Sequence, residues 1–203
     1  MTEATRPTQR ELVFAHRGTL LAIPAIALAV FGKPSGASIV VGSAIAIAGE
    51  CLRCWAVGYS GVTTRSDKVT APKLTTAGPY AYVRNPLYVG NFITALGFAL
   101  AFTGGNEVAF RLTLIGLALG AMIAVYAAIV PHEEAYLRSV FGKAFDAYTA
   151  SVPAVFPRAT PWEGRQGTYD PAVILKAETR TFATFGAMLV LLALKAVFPS
   201  AHG

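Results

Sequence analysis

Apolar residues in this chain fall in long runs, not in the short alternating stretches of a soluble sheet. A helix that crosses a bilayer needs about 20 mostly apolar residues, with a range of about 17 to 25. Residues 37–59, 87–103, 108–130 and 181–198 meet or approach that length. The second run holds no charge, the third only Arg111 near its start, and the fourth only Lys195 near its end. The first carries Glu50 and Arg53. A fifth run, 19–31, is short. It spans if its helix begins near Leu12 and lets His16 and Arg17 reach the headgroups by snorkelling. The pattern predicts an all-α polytopic membrane bundle of about five transmembrane helices, forming one membrane domain over 1–203.

The polar intervals sharpen the boundaries. Gly32-Lys33-Pro34-Ser35-Gly36 reads as a tight turn. Residues 60–85 contain Pro72, Gly78 and Pro79 and read as a loop. Asn85-Pro86 marks a helix start, with Asn as N-cap and Pro at the first helical position. Pro131 is expected to end or kink the fourth helix. Residues 132–150 then read as a cytoplasmic amphipathic helix, with Leu137, Phe141, Ala144, Phe145 and Tyr148 on one face. Such a helix lies along a membrane surface. Pro153 and Pro157 stop it, and 158–180 is a polar connector.

Composition excludes an ordinary soluble domain. Only 14% of residues are charged, against about 25% in an average soluble protein. Thirteen of the 17 Lys and Arg lie in 1–18, 60–86 and 132–180, whereas the short links on the other side hold Lys33 and Arg111. Cytoplasmic loops carry the Lys/Arg excess, so the N-terminus is expected inside and the C-terminus outside. The net charge of +6 is assigned to anionic lipid headgroups, not to nucleic acid. No small-residue cleavage site follows the first apolar run, so a retained helix is expected in place of a signal peptide. Small size and the lack of an organelle signal suggest a prokaryotic inner membrane.

Two clusters carry chemistry. One runs from Lys73-Leu74-Thr75 through Gly78-Pro79-Tyr80-Ala81-Tyr82-Val83-Arg84-Asn85-Pro86-Leu87-Tyr88-Val89-Gly90. The other is Glu133-Glu134 with Leu137, Phe141-Gly142, Tyr148 and Val152-Pro153. The tyrosines alone fit an interfacial aromatic belt. Carboxylates at a helix start alone fit the helix dipole. Glu50 and Arg53, one turn apart inside a span, read as a mutual ion pair with Arg53 snorkelling inward, although intramembrane ionisable groups are functional candidates by default. Cys51 and Cys54 have Cys-x-x-Cys spacing, without a second pair or a histidine cluster, and read as small packing residues.

Taken in order, Leu52-Arg53-x-Trp55-Ala56, the 78–90 motif and the Glu133-Glu134 cluster resemble the isoprenylcysteine carboxyl methyltransferase-like family, to which the phospholipid N-methyltransferases are similar. The resemblance covers about 45–158 and leaves a C-terminal helix at about 181–198 outside it. It implies S-adenosylmethionine as cofactor, held at the cytoplasmic helix ends in a pocket open to lipid, and a lipophilic methyl acceptor. Carried over by motif position, Leu74 and Thr75 line the cofactor and Tyr80 sits close to it. Arg84, Asn85, Pro86 and Tyr88 form the wall at the helix start, and Glu133 binds the polar end. Glu134 is the expected catalytic group, binding the acceptor or taking its proton.

Two positions depart from the family. Asn85 stands where His is usual, and a carboxamide cannot become charged. Ile129 stands where the prenylcysteine enzymes place an Arg linked to the substrate carboxylate, so that carboxylate would lack its cation here. A phospholipid amine and other small amphiphiles stay open as acceptors. Two other classes also stay open: a sterol-reductase-like enzyme, and a non-catalytic lipid-binding or transport protein. The former's Asn-Tyr-x-Gly-Glu element is absent, since this chain reads Asn85-Pro86-Leu87-Tyr88-Val89-Gly90-Asn91.

Overall fold

The computed structural model describes residues 9–61 and 73–198. Among them there are only helices, turns and irregular segments. The α-helices are α1 (Gln9–Phe31), α2 (Gly36–Ser60), α3 (Pro86–Thr103), α4 (Val108–Phe141), α5 (Lys143–Ser151) and α6 (Ala172–Val197), with a 3-10 turn at Gly78–Ala81. Arg65 and Lys68, counted above as loop cations, lie outside the described residues.

Four helices, α2, α3, α4 and α6, are long and apolar enough to cross a membrane. The apolar part of α1, His16–Phe31, falls short of that length. Large apolar side chains point outward all round, among them Val40, Val108, Ile123 and Val190. An exposed apolar surface of this extent suits hydrocarbon and not water. The protein is an integral membrane helix bundle.

The α2–α3 pair is the spine. Gly42, Ala46 and Gly49 on α2 face Gly90, Gly97 and Ala101 on α3 at spacings of one or two turns. A Cβ on Gly97 would stand 2.3 Å from the Ala46 amide nitrogen, and one on Gly49 2.5 Å from the Thr94 nitrogen. Backbone therefore touches backbone, the arrangement small residues permit between membrane helices. Phe98, Phe102, Leu114, Ala118 and Leu192 fill the core between α3, α4 and α6.

Two sequence expectations are corrected here. Pro131 does not end α4, which continues through it to Phe141. Proline inside membrane helices is tolerated because neighbours and local adjustments satisfy the freed groups. The break comes instead at Gly142, whose φ of +49° favours glycine. The expected surface helix is thus only α5, which buries Phe145 and Tyr148. The last helix begins at Ala172 and not near 181, its first amide capped by the Asp170 carboxylate at 2.9 Å. The polar residues Lys176, Glu178 and Arg180 are therefore helical, and only 158–171 serves as connector.

Candidate functional site

Five helices bring one end each to the same side of the bundle. Between the end of α2 and the start of α3, the 3-10 turn opens at Gly78. Its φ is +61°, and a Cβ there would collide with the Tyr59 ring at 2.2 Å. The segment after α5 returns along this turn. Arg84 N–H donates to the Pro153 carbonyl at 2.9 Å, Arg158 N–H to Tyr82 at 3.0 Å, and Trp162 N–H to Ala81 at 2.9 Å. Thr76 closes the clamp through its amide to Gln166 and its hydroxyl to the Gly164 carbonyl.

Both acidic residues of the second cluster meet the first cluster. Arg84 grips Glu134 with two contacts, Nε–Oε1 at 2.9 Å and Nη2–Oε2 at 3.3 Å. Its Nη1 donates to the carbonyls of Val152 at 2.6 Å and Thr149 at 3.3 Å. One guanidinium thus ties the start of α3 to α4, α5 and the returning segment, using the fork geometry peculiar to arginine. The Tyr88 hydroxyl donates to Glu133 Oε1 at 2.7 Å, and its ring packs on Tyr126 at 4.4 Å between centroids. Because α4 runs unbroken past Pro131, Tyr126, Glu133 and Glu134 ride on one rod.

Pro86 is buried at the first position of α3, as the sequence predicts. Asn85 stands at the N-cap, but its side chain makes no capping bond. Its Nδ2 donates instead to the Ala154 carbonyl at 3.1 Å, because the returning segment passes within reach. The start of α3 is left without a side-chain cap, and such a helix start is receptive to an anionic group. The Tyr80 carbonyl accepts from the Tyr148 hydroxyl at 2.7 Å. Burial pushes the Tyr80 phenol up to about 12, against a lowering hydrogen bond from Ser60, and the charges of Glu133, Arg53 and Glu178 all reach it. Burial likewise raises the Tyr148 phenol.

Tyr80, Arg84, Asn85, Pro86, Tyr88, Glu133 and Glu134 are therefore brought to one end of the bundle. Leu74 packs against Phe145, Tyr148 and Val152, and Thr75 lies beside Gly167. Sequence reasoning missed Asn91, Tyr126 and Glu178. The signal for Asn91 was a carboxamide inside an apolar run. Glu178 was hidden by placing it in a connector. Arg53 does not snorkel: it is buried, and besides Glu50 at 3.5 Å it reaches Glu178 at 2.7 Å. Cys51 and Cys54 are free thiols.

Chemically, this end of the bundle offers a helix start without a side-chain cap, which suits an anionic group, and a half-buried carboxylate, Glu133, which suits a cationic amine.

The chain is similar to known proteins over part of its length. The chain is 42% identical over 84 residues to a protein-S-isoprenylcysteine O-methyltransferase of Schizosaccharomyces pombe, covering 41% of this chain and 33% of that protein. It is 34% identical over 96 residues to the cobalt-zinc-cadmium resistance protein CzcN of Cupriavidus metallidurans, covering 45% of this chain and 38% of that protein. It is also 34% identical over 86 residues to the nickel-cobalt-cadmium resistance protein NccN of Alcaligenes xylosoxydans xylosoxydans, covering 42% and 37%. The matched region spans about a third of these relatives' lengths. No solved structure matches. The phospholipid methyltransferase family model matches residues 37–144, which holds all but the first residue of α2, all of α3 and α4, and every residue of the Tyr88–Glu133 and Arg84–Glu134 pairs. That match covers more than half of the sequence, and the chain belongs to the phospholipid methyltransferase family.

Proposed function

We propose that this protein is a membrane methyltransferase that uses S-adenosylmethionine and methylates a lipid-like or small amphiphilic acceptor. The observation that carries the reading is the pairing of both carboxylates of Glu133-Glu134 with the 78–90 motif, inside the family match, at the end of a bundle that faces lipid. When bound, the cofactor supplies an electrophilic methyl group on a leaving group that is already good. The protein's task is then to position and to exclude water.

In this reading Glu133, oriented by Tyr88, holds the polar end of the cofactor. The start of α3, from Arg84 through Asn85 and Pro86 to Tyr88, forms one wall, and Leu74, Thr75 and Tyr80 line the approach. Arg84 keeps Glu134 in place. An ionised carboxylate offers about four acceptor positions, and Arg84 occupies two of them. Glu134 keeps the capacity to bind a cationic acceptor or to take the proton that an amine or hydroxyl must lose. Among acceptors, a phospholipid amine fits this chain better than a prenylcysteine carboxylate. Ile129, fully buried against Tyr88, Tyr126 and Leu21, offers no cation for the latter. The Lys/Arg distribution supports a site on the cytoplasmic side.

The test is calorimetric titration of detergent-solubilised protein with S-adenosylhomocysteine, followed by methyl transfer from labelled S-adenosylmethionine to vesicles containing phosphatidylethanolamine. Micromolar binding with label in the lipid fraction is expected. Absence of binding in folded protein would overturn the methyltransferase reading. Binding without label in any lipid or amphiphile supplied would overturn the choice of acceptor alone.

A further inference from the structure

Arg53 sits inside a helix that crosses the membrane, at 7% exposure. A guanidinium in that position is costly unless partners surround it. Its partners come from three helices. Glu50 on its own helix lies 3.5 Å from Nε. Asn91 on α3 accepts from Nη1. Glu178 on α6 accepts from Nη2 at 2.7 Å, and Thr181 on α6 stands at 3.4 Å. Glu178 is the more deeply buried of the two carboxylates, at 1% exposure.

The contacts continue toward the site. Asn91 and Tyr88 stand one turn apart on α3. The Tyr126 ring packs on Tyr88, and Tyr88 donates to Glu133. The residue before Asn91 is Gly90, where a Cβ would stand 2.7 Å from Arg53 Cγ. The Arg53 stem is thus wedged against α3, and a shift of its head is passed to Asn91. Arg53 thus joins Glu178 of α6 to Asn91 of α3, one turn along from Tyr88, which contacts Tyr126 and Glu133 of α4.

α6 lies outside the family match, which ends at residue 144. A helix that only packed on the bundle would need no carboxylate at 178. Replacing a buried ion pair by apolar residues of similar volume is often neutral or stabilising. We infer that Glu178 is a positioning residue for the cofactor site: it fixes Arg53, and through Arg53 and Asn91 it sets the start of α3 and so the wall formed by Tyr88 and Glu133. The inference rests on the cofactor reading above and assigns the last helix a part in the site.

The experiment measures S-adenosylhomocysteine affinity and thermal midpoint together in full-length protein. Glu178→Gln keeps the shape of the side chain but not its charge, and should weaken binding about tenfold. Glu178→Asp should restore affinity to within about threefold of wild type. The triple variant Glu50→Gln with Arg53→Met and Glu178→Leu removes all three charges, so it should fold yet still bind at least about tenfold more weakly. Leu192→Ala opens a cavity in α6 far from the network. It should lower the midpoint but leave affinity within about twofold. The inference is overturned if Glu178→Gln or the triple variant binds like wild type. It is equally overturned if affinity merely follows the midpoint across all four, Leu192→Ala included. Wild-type protein that binds no S-adenosylhomocysteine overturns the cofactor reading and this inference with it, an outcome distinct from the other two.

Discussion

The two ends of this bundle are built on different principles. At the end away from the site, the contacts satisfy backbone groups. Ser35 and Ser38 form a reciprocal capping box at the start of α2, and the Ser38 hydroxyl also donates to the Ala101 carbonyl at 3.0 Å. Asn106 donates to the Phe31 carbonyl at 3.0 Å and accepts from the Lys33 amide at 2.7 Å. Lys195 donates to the carbonyls of Gly32 and Val30, where α1 ends. Every helix end leaves such groups to be satisfied, whatever the protein does. At the site end, side chains also meet side chains. Three carboxylates, Glu133, Glu134 and Glu178, are matched to Tyr88, Arg84 and Arg53 on other elements. Of these side chains Arg84 also satisfies a helix end, through the Thr149 and Val152 carbonyls of α5, but its pairing with Glu134 closes none. Buried or half-buried charge is costly and is a weak source of stability, so its concentration at one end points to chemistry there.

That contrast breaks most visibly at Glu134. Glu134→Gln should lower methyl transfer by about 100-fold or more, the range expected for loss of a proton-accepting group. S-adenosylhomocysteine affinity should change by no more than about threefold. Normal turnover in this variant, measured with labelled cofactor, would remove Glu134 from the chemistry. Glu133 should behave in the opposite way. A hydrogen bond to a charged group is worth about 1.5–3 kcal/mol, so Glu133→Ala should weaken S-adenosylhomocysteine binding by about 10- to 100-fold in calorimetry. Unchanged affinity would place the cofactor elsewhere. Arg84→Lys ranks third. A lysine keeps the charge but cannot span both Glu134 oxygens and two carbonyls, so turnover should fall about tenfold with the fold retained. If Lys served as well as Arg, simple charge and not the fork would explain the pair.

The sequence discloses the two ends unequally. The spans of α2 and α3 are legible to within a residue because each apolar run is bounded by Gly, Pro or Asn. The clusters at 73–90 and 133–134 are legible because they depart from the apolar background. What joins them is not. The Arg84–Glu134 contact bridges 50 positions and Arg53–Glu178 bridges 125, and periodicity carries no information at such separations. Pro131 misleads because the rule that proline breaks helices is weakened between membrane helices, where neighbours supply the missing partners. Asn85 misleads more subtly. Its place at the N-cap is right, but a segment about 70 residues away competes for the side chain. Glu178 was lost because a run of polar residues at 176–180 resembles a connector until α2 supplies a partner.

The smallest expected effect is the control for the whole contrast. Lys195→Met should cost only the interaction of a cation with helix-end carbonyls, about 0.3–1 kcal/mol. For a chain of this size that amounts to about 1–4 °C in thermal midpoint. Cofactor affinity and turnover should not move, because Lys195 donates to the turn at Val30 and Gly32, at the other end of the bundle from the site. Differential scanning fluorimetry beside calorimetry would decide it. If Lys195→Met weakened S-adenosylhomocysteine binding as much as Glu178→Gln, α6 would be transmitting strain along its whole length. The division between a fastening end and a working end would then have to be given up.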